Sequence, residues 1–188
     1  LGAVSVLVIT LIGAMAIFAP LLTDHNPTQF SRDILDGPSG DHLLGTNRQG
    51  MDILSRVLYG GRVSLGIGVS TVLVSLFGGT VLGLLTGYFQ GPLDLAVSRV
   101  AELIIALPAL IFALTLATAL GRGTTTVVVA ISIIFTPAIF RIMRGVVYQE
   151  STKPYIEAAR AVGAGRVRIL FLHILPNIAG LMIVTGSA

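Results

Sequence analysis

The sequence contains no cysteine and no tryptophan, and only 11% of its 188 residues are charged. Without cysteine there can be no disulfide, no cysteine zinc site and no thiol nucleophile. There is one lysine, Lys153, and no glycine precedes it. A phosphate-cradling loop of the form G-x-x-x-x-G-K-[ST] is therefore missing, which excludes ATP hydrolysis by that route in this chain. His25, His42 and His173 are scattered, without metal-ligand spacing, and read as surface or interfacial residues. No G-x-S-x-G nucleophile elbow occurs. No catalytic and no metal-ligating residues are assigned. The net charge is +3 and unevenly spread, so it points to no nucleic-acid partner.

Apolar length is abundant. Hydrophobic residues make up 54% of the chain, which places it in the membrane class. Residues 1–22 carry no charge and can cross a hydrocarbon core of about 30 Å at about 1.5 Å per residue. Residues 23–62 are polar, with Pro27, Pro38 and five aspartates, and read as an extramembrane loop. Residues 63–89 form a second span, 90–94 a turn, 96–120 a third span and 126–140 a fourth. A polar loop fills 141–176, and 177–188 opens a fifth span. The chain starts and stops inside apolar runs, so it reads as a piece of a longer one. The first run is too long, and lacks the basic lead-in, for a cleaved signal peptide. The expected fold is all-α: a polytopic transmembrane helix bundle in one domain, with five spans visible and the fifth incomplete.

Charge orients the bundle. Loop 141–176 holds six basic residues against Glu150 and Glu157, whereas loop 23–62 balances four arginines with its five aspartates. The positive-inside rule makes the later loop cytoplasmic and the earlier one extracytoplasmic. Within the spans, Ser75, Gly79, Gly83 and Gly87 recur at four-residue steps, a small-residue stripe that lets another helix pack closely. That helix could belong to this chain or to a partner. Pro108 and Pro137 lie mid-span, where each removes a backbone hydrogen bond and can kink its helix. Arg99 and Glu102 form an i, i+3 pair near the cytoplasmic end of the third span, either an anchor or a lining of the pathway.

The most informative stretch is 155–176, YIEAARAVGAGRVRILFLHILP. Tyr155, Ala158, Ala159 and Val162 share a face at helical spacing, with Glu157, Arg160 and Ala161 to the side. Pro154 suits a first helical turn, and Gly163 a helix C-terminus that needs a left-handed residue. A second helix follows, with Val167, Leu170, Phe171, Ile174 and Leu175 as its apolar stripe, and Pro176 ending or kinking it. Glu157-Ala158-Ala159, then Gly163, then Leu175-Pro176, resembles the EAA loop of ABC-importer permeases. His173 stands where that family more often has an apolar residue, a departure found in its peptide-importer branch.

An earlier stretch, 42–64, reads HLLGTNRQGMDILSRVLYGGRVS. Met51, Leu54, Val57 and Leu58 make one apolar face of a short amphipathic helix, with Asp52 and Arg56 as an i, i+4 pair opposite. Gly60-Gly61 reads as a break before the membrane. Leu44, Gly45, Thr46, Gly50, Asp52, Leu54, Ser55, Arg56, Tyr59, Gly60, Arg62, Ser64 and Leu65 resemble the peptide and nickel branch of the same family. Asn47 and Met51 depart from its usual Asp and Arg.

The resemblance implies the type I importer permease fold and the second, shorter permease of a dipeptide or oligopeptide system. It implies a cytoplasmic loop whose short helix docks into a groove of a nucleotide-binding subunit. Tyr155, Glu157, Ala158, Ala159, Arg160 and Gly163 would then serve coupling, framed by Leu175 and Pro176. It further implies a homologous second permease, one or two ATPase subunits, a solute-binding protein outside, and a prokaryotic cell membrane. The chain would hold no cofactor; ATP and Mg would sit on the partner subunit. Nickel or glutathione are alternative cargoes. A gradient-driven transporter and a non-transporting scaffold are the competing classes.

Overall fold

The computed structural model describes residues 2–187, with side chains described from 4 to 186. Among these residues the chain is helical almost throughout and has no strand, only an isolated bridge between Thr46 and Asp52. It divides into two compact units, one up to Gly68 and one from Val69 onward.

The first unit opens with α1 (Gly2–Ile17) and the short α2 (Ala19–Leu22). Described apolar side chains of α1 are mostly exposed, as suits a lipid-facing helix, and only Ala16 is buried. A long loop then leads to α3 (Ile53–Phe89). The break expected at Gly60-Gly61 is not there: α3 runs unbroken for 37 residues. Two glycines cost a helix only about 1 kcal/mol each, and the flanking apolar turns outweigh that. Gly61 also lets α1 approach, since a Cβ there would lie 3.4 Å from that of Ala16.

The second unit takes in α3 from Val69, then α4 (Gly91–Ala106), α5 (Ala109–Leu120) and α6 (Thr124–Ser151). There follow α7 (Pro154–Ala161), α8 (Arg166–Arg168), a π-helical turn (Ile169–Ile174) and α9 (Leu175–Ser187). Several expected boundaries move. The turn expected at 90–94 contracts to Gln90, whose φ of 53° makes the corner, and α4 starts at Gly91. The single span expected at 96–120 is two helices bent by 99°. Leu107 is extended there (φ −81°, ψ 137°), the conformation favoured before proline, and the helix breaks at Pro108. Pro137, by contrast, sits inside α6, which continues past it. That helix also continues past Phe140 to Ser151, so Arg141 and Arg144 are helical rather than in a loop.

Pro176 does not end its helix either. The helical run continues from Arg166 through α9. Proline removes one N–H and crowds the carbonyl four residues back; the wide turn just before α9 opens the ladder where that strain would fall. The wide turn also shifts the buried stripe. Ile169, Leu170, Ile174 and Ile178 are inside, while Val167 and Phe171, expected there, are exposed.

Among the described residues three helices are long and apolar enough to span a membrane, and a fourth span results if α4 and α5 count as one. The α1 helix is apolar but shorter. The bundle is thus a membrane bundle, with the count of five only approximate.

Candidate functional site

The small-residue stripe decides how α3 and α6 meet. A Cβ on Gly79 would lie 2.7 Å from that of Ile139, on Gly83 2.6 Å from that of Met143, and on Gly87 2.7 Å from the Arg144 carbonyl oxygen. The open question about that stripe is settled for these positions: the helix they admit is α6 of the same chain. The Ser75 and Ser132 hydroxyls donate across the same contact, to the Ser132 and Thr71 carbonyls, at the long distance of 3.4 Å each. Further along, Arg144 holds Asp94 of α4 through two bonds, Nε to Oδ1 and Nη2 to Oδ2, the latter 2.6 Å.

These contacts bring the end of α6 to a two-residue corner, Thr152-Lys153, from which α7 emerges. Pro154 starts α7, where its missing N–H costs nothing. At the other end Gly163 has φ 82°. Its N–H donates to the Arg160 carbonyl at 3.0 Å and that of Ala164 to the Ala159 carbonyl at 3.0 Å. This pair is a Schellman motif, and only a residue at ease with positive φ closes it without strain.

The face of α7 turned to the core is set by a residue outside the stripe of Tyr155, Ala158, Ala159 and Val162. Ile156 is fully buried, in a cluster with Leu84, Val147, Ile169, Leu170, Ile174 and Ile178, and Ala159 packs against that cluster. Ala158 is exposed, and Val162 is 85% exposed. On so short a helix the one large aliphatic residue chooses the inward face, and alanines carry too little area to compete. Outward there remains a shallow concavity lined by Ala158, Ala159, Val162, Gly163, Ala164, Arg168 and His173. Beside it stands Glu157, exposed, its carboxylate without a hydrogen bond or ion pair among the described residues.

Two of the expected coupling residues, both exposed, bond to other elements of the chain. The Arg160 guanidinium lies 5.8 Å from the Tyr88 ring centre and reaches the Ser151 carbonyl at 3.5 Å. The Tyr155 hydroxyl donates to Glu150 Oε1 at 2.7 Å and accepts from Asn177 Nδ2 at 3.0 Å. Burial first, then the Glu150 bond, raises the Tyr155 hydroxyl above its ordinary pKa, so it keeps its proton. Of the framing pair, Leu175 packs against the core cluster and Pro176 is exposed. The partners Ile156, Glu150 and Asn177 were missed in the sequence. Only Ile156, the one bulky aliphatic residue in α7, carried a readable signal.

The earlier motif builds a helix start, not a pocket. Asp52 caps α3: its Oδ2 accepts from the Ser55 backbone N–H at 2.7 Å, while the Ser55 hydroxyl donates back to the Asp52 carbonyl at 3.1 Å. Its Oδ1 meets His42 Nδ1 at 3.0 Å, and the His25 ring stands 4.8 Å from that of His42. The expected Asp52–Arg56 pair does not form, because Asp52 is buried and taken. Arg56 instead donates to the Pro27 carbonyl at 3.3 Å. Burial works against the Asp52 charge, but the Ser55 N–H, the His42 ring and the Ser55 hydroxyl together lower its pKa. Thr46 is buried; its hydroxyl donates to the Asp33 carbonyl and accepts from the Asp36 N–H at 3.0 Å. Gly45 and Gly50 make the left-handed turns on either side. Tyr59 is half-buried, while Gly60, Arg62 and Ser64 are exposed. Arg99 and Glu102 pair at 2.9 Å on an exposed face of α4. Among the described residues no cluster of three or more His, Asp or Glu could hold a metal.

Residues 79–187, from the stripe through α7 to α9, match the family described as binding-protein-dependent transport system inner membrane component. The chain is 37% identical to the di/tripeptide transport system permease protein of Pseudomonas aeruginosa, over 92% of this chain and 59% of that one. It is 39% identical to a glutathione transport system permease protein of Pectobacterium atrosepticum, over 96% and 61%. It is 35% identical to the oligopeptide transport system permease protein of Bacillus subtilis, over 98% and 61%. The chain thus spans about three-fifths of the length of these curated relatives.

Proposed function

The chain belongs to the family of binding-protein-dependent transport system inner membrane components, and from that premise we propose that it acts in an ATP-driven importer as a permease subunit. The cargo is a dipeptide or short oligopeptide, carried across the cell membrane of a prokaryote. A binding protein outside delivers the cargo, a homologous permease completes the pathway, and one or two nucleotide-binding subunits bind ATP with its Mg on the cytoplasmic side. The peptide permeases among the relatives support this cargo. The glutathione permease supports a second, a γ-linked tripeptide, which competition for uptake by glutathione would reveal.

The observation that carries the reading is the outward face of α7. It offers small side chains, an apolar Val162 and an unpartnered Glu157, on a helix packed against the core from behind. Small residues let another helix or groove approach closely, and a free carboxylate seeks donors there. A membrane scaffold has no use for such a surface, and a gradient-driven transporter would place ionisable groups at mid-bilayer instead. The test is a disulfide cross-link. Ala158→Cys, which is exposed, is paired with a cysteine in the groove of the ATPase subunit; Ile156→Cys, which is fully buried, serves as control. The expected result is a cross-link at Ala158→Cys whose yield changes with nucleotide. No cross-link at any outward position of α7, in an assembled complex, overturns the reading.

A further inference from the structure

An eight-residue helix joined to its neighbours by two short turns is a poor lever unless something ties it at both ends. Ile156 and Ala159 anchor its middle, and apolar contacts of that kind resist separation but not rocking. The rocking is opposed at the start of α7. Glu150, on the last turn of α6, is only 8% exposed. A carboxylate there needs partners, and it has two: Oε2 pairs with Lys153 Nζ at 2.7 Å, and Oε1 accepts from the Tyr155 hydroxyl at 2.7 Å. The same hydroxyl oxygen accepts from Asn177 Nδ2 at 3.0 Å, and that amide also donates to the His173 carbonyl at 2.7 Å. Every polar hydrogen of the Tyr155 hydroxyl and the Asn177 amide is thus placed.

We propose that Glu150, Tyr155 and Asn177 are positioning residues that lock α7 to α6 before it and to α9 after it, so that a push on α7 reaches both spans together. This deepens the docking role given to α7 above and rests on it. The hydroxyl of Tyr155 is the pivot, because among the described residues it is the α7 atom hydrogen-bonded to both flanking helices. The π-helical turn contributes by presenting the His173 carbonyl, 3.5 Å from that hydroxyl, beside the Asn177 amide. Glu157, Ala158 and Val162 take part in none of these bonds. Removing them leaves docking intact and weakens only transmission.

The test uses the full-length chain in its assembled transporter, in lipid vesicles. Tyr155→Phe removes one oxygen and keeps the ring, and Asn177→Leu removes the second tie. Glu150→Gln keeps an acceptor for Tyr155 and should behave closer to the unaltered protein than Glu150→Ala does. Expected for Tyr155→Phe is ATP turnover within about twofold of normal, and uptake per ATP lowered about tenfold, the scale of one lost charge-assisted hydrogen bond. Spin labels at Ala161→Cys, exposed on α7, and Leu181→Cys should also show a broadened distance distribution. Normal uptake per ATP in both Tyr155→Phe and Asn177→Leu overturns the proposal. If the unaltered complex shows no ATP-driven uptake, the importer reading falls. The lock is then judged on the labels alone, and an unchanged distribution in Tyr155→Phe overturns it.

Discussion

At Gly83 a single added methyl group would have nowhere to go: it would lie 2.6 Å from the Met143 Cβ and 2.9 Å from the Arg144 backbone nitrogen. Gly83→Ala should therefore destabilise the bundle by about 1–3 kcal/mol, the usual range for overpacking. Gly66 faces open space where a Cβ would stand, so Gly66→Ala should be neutral or stabilise by up to about 1 kcal/mol through helix propensity. Thermal unfolding of the two variants in detergent compares them directly. Gly163→Val sets a β-branched residue at φ 82°, which resists that conformation, and should uncouple ATP hydrolysis from uptake. Normal uptake in that variant would refute the role of the turn. Asp52 predicts a pH dependence. Its pKa is lowered on folding, so its contribution to the loop is complete above the ordinary value of 3.8 and is lost as pH falls through the lowered one. The protection of the Ser55 amide, its exchange rate relative to the free-peptide rate at the same pH, should stay high near neutrality and fall only in that acid range.

Between elements, the Asp94–Arg144 bond is the polar tie that fastens α4 to α6. Because Arg144 is well exposed, a double-mutant cycle of Asp94→Asn and Arg144→Gln should return a coupling of only about 0.5–1 kcal/mol. Much of the element map was legible in the sequence. Pro154 and Gly163 delimit α7 because proline and glycine act on the backbone locally, whatever surrounds them. Where the outcome depends on neighbours, the sequence was mute. Pro108 breaks its helix and Pro137 does not, although both sit in equally apolar runs. Gly60-Gly61 looked like a break and is helical, since helix continuity there is decided by flanking turns. The polar ties, His42 to Asp52, Arg144 to Asp94 and Asn177 to Tyr155, join residues 10, 50 and 22 positions apart, beyond any local period. On α7, helical spacing names the stripes, and the bulk of Ile156 says which side is inside.

For the molecule as a whole, the region matched by the family coincides with the second compact unit except for the first turns of its α3 stretch. The packed stripe, α7 and the proposed lock all lie within it. The earlier motif, with its cap and left-handed turns, serves the start of α3 instead. Truncation up to residue 52 should therefore spare nucleotide-dependent cross-linking at Ala158→Cys while exposing an uncapped α3. A π-helical turn, finally, is an α-helix carrying one residue more than its ladder needs. Deleting any one residue from 169–174 would restore the ordinary ladder and swing all that follows by about 100°. Ile178 and Asn177 would then leave their partners with no side chain altered. Two homologues identical in composition here but one residue apart in length would present different faces to α7. In this segment, counting residues says more about shared mechanism than comparing them.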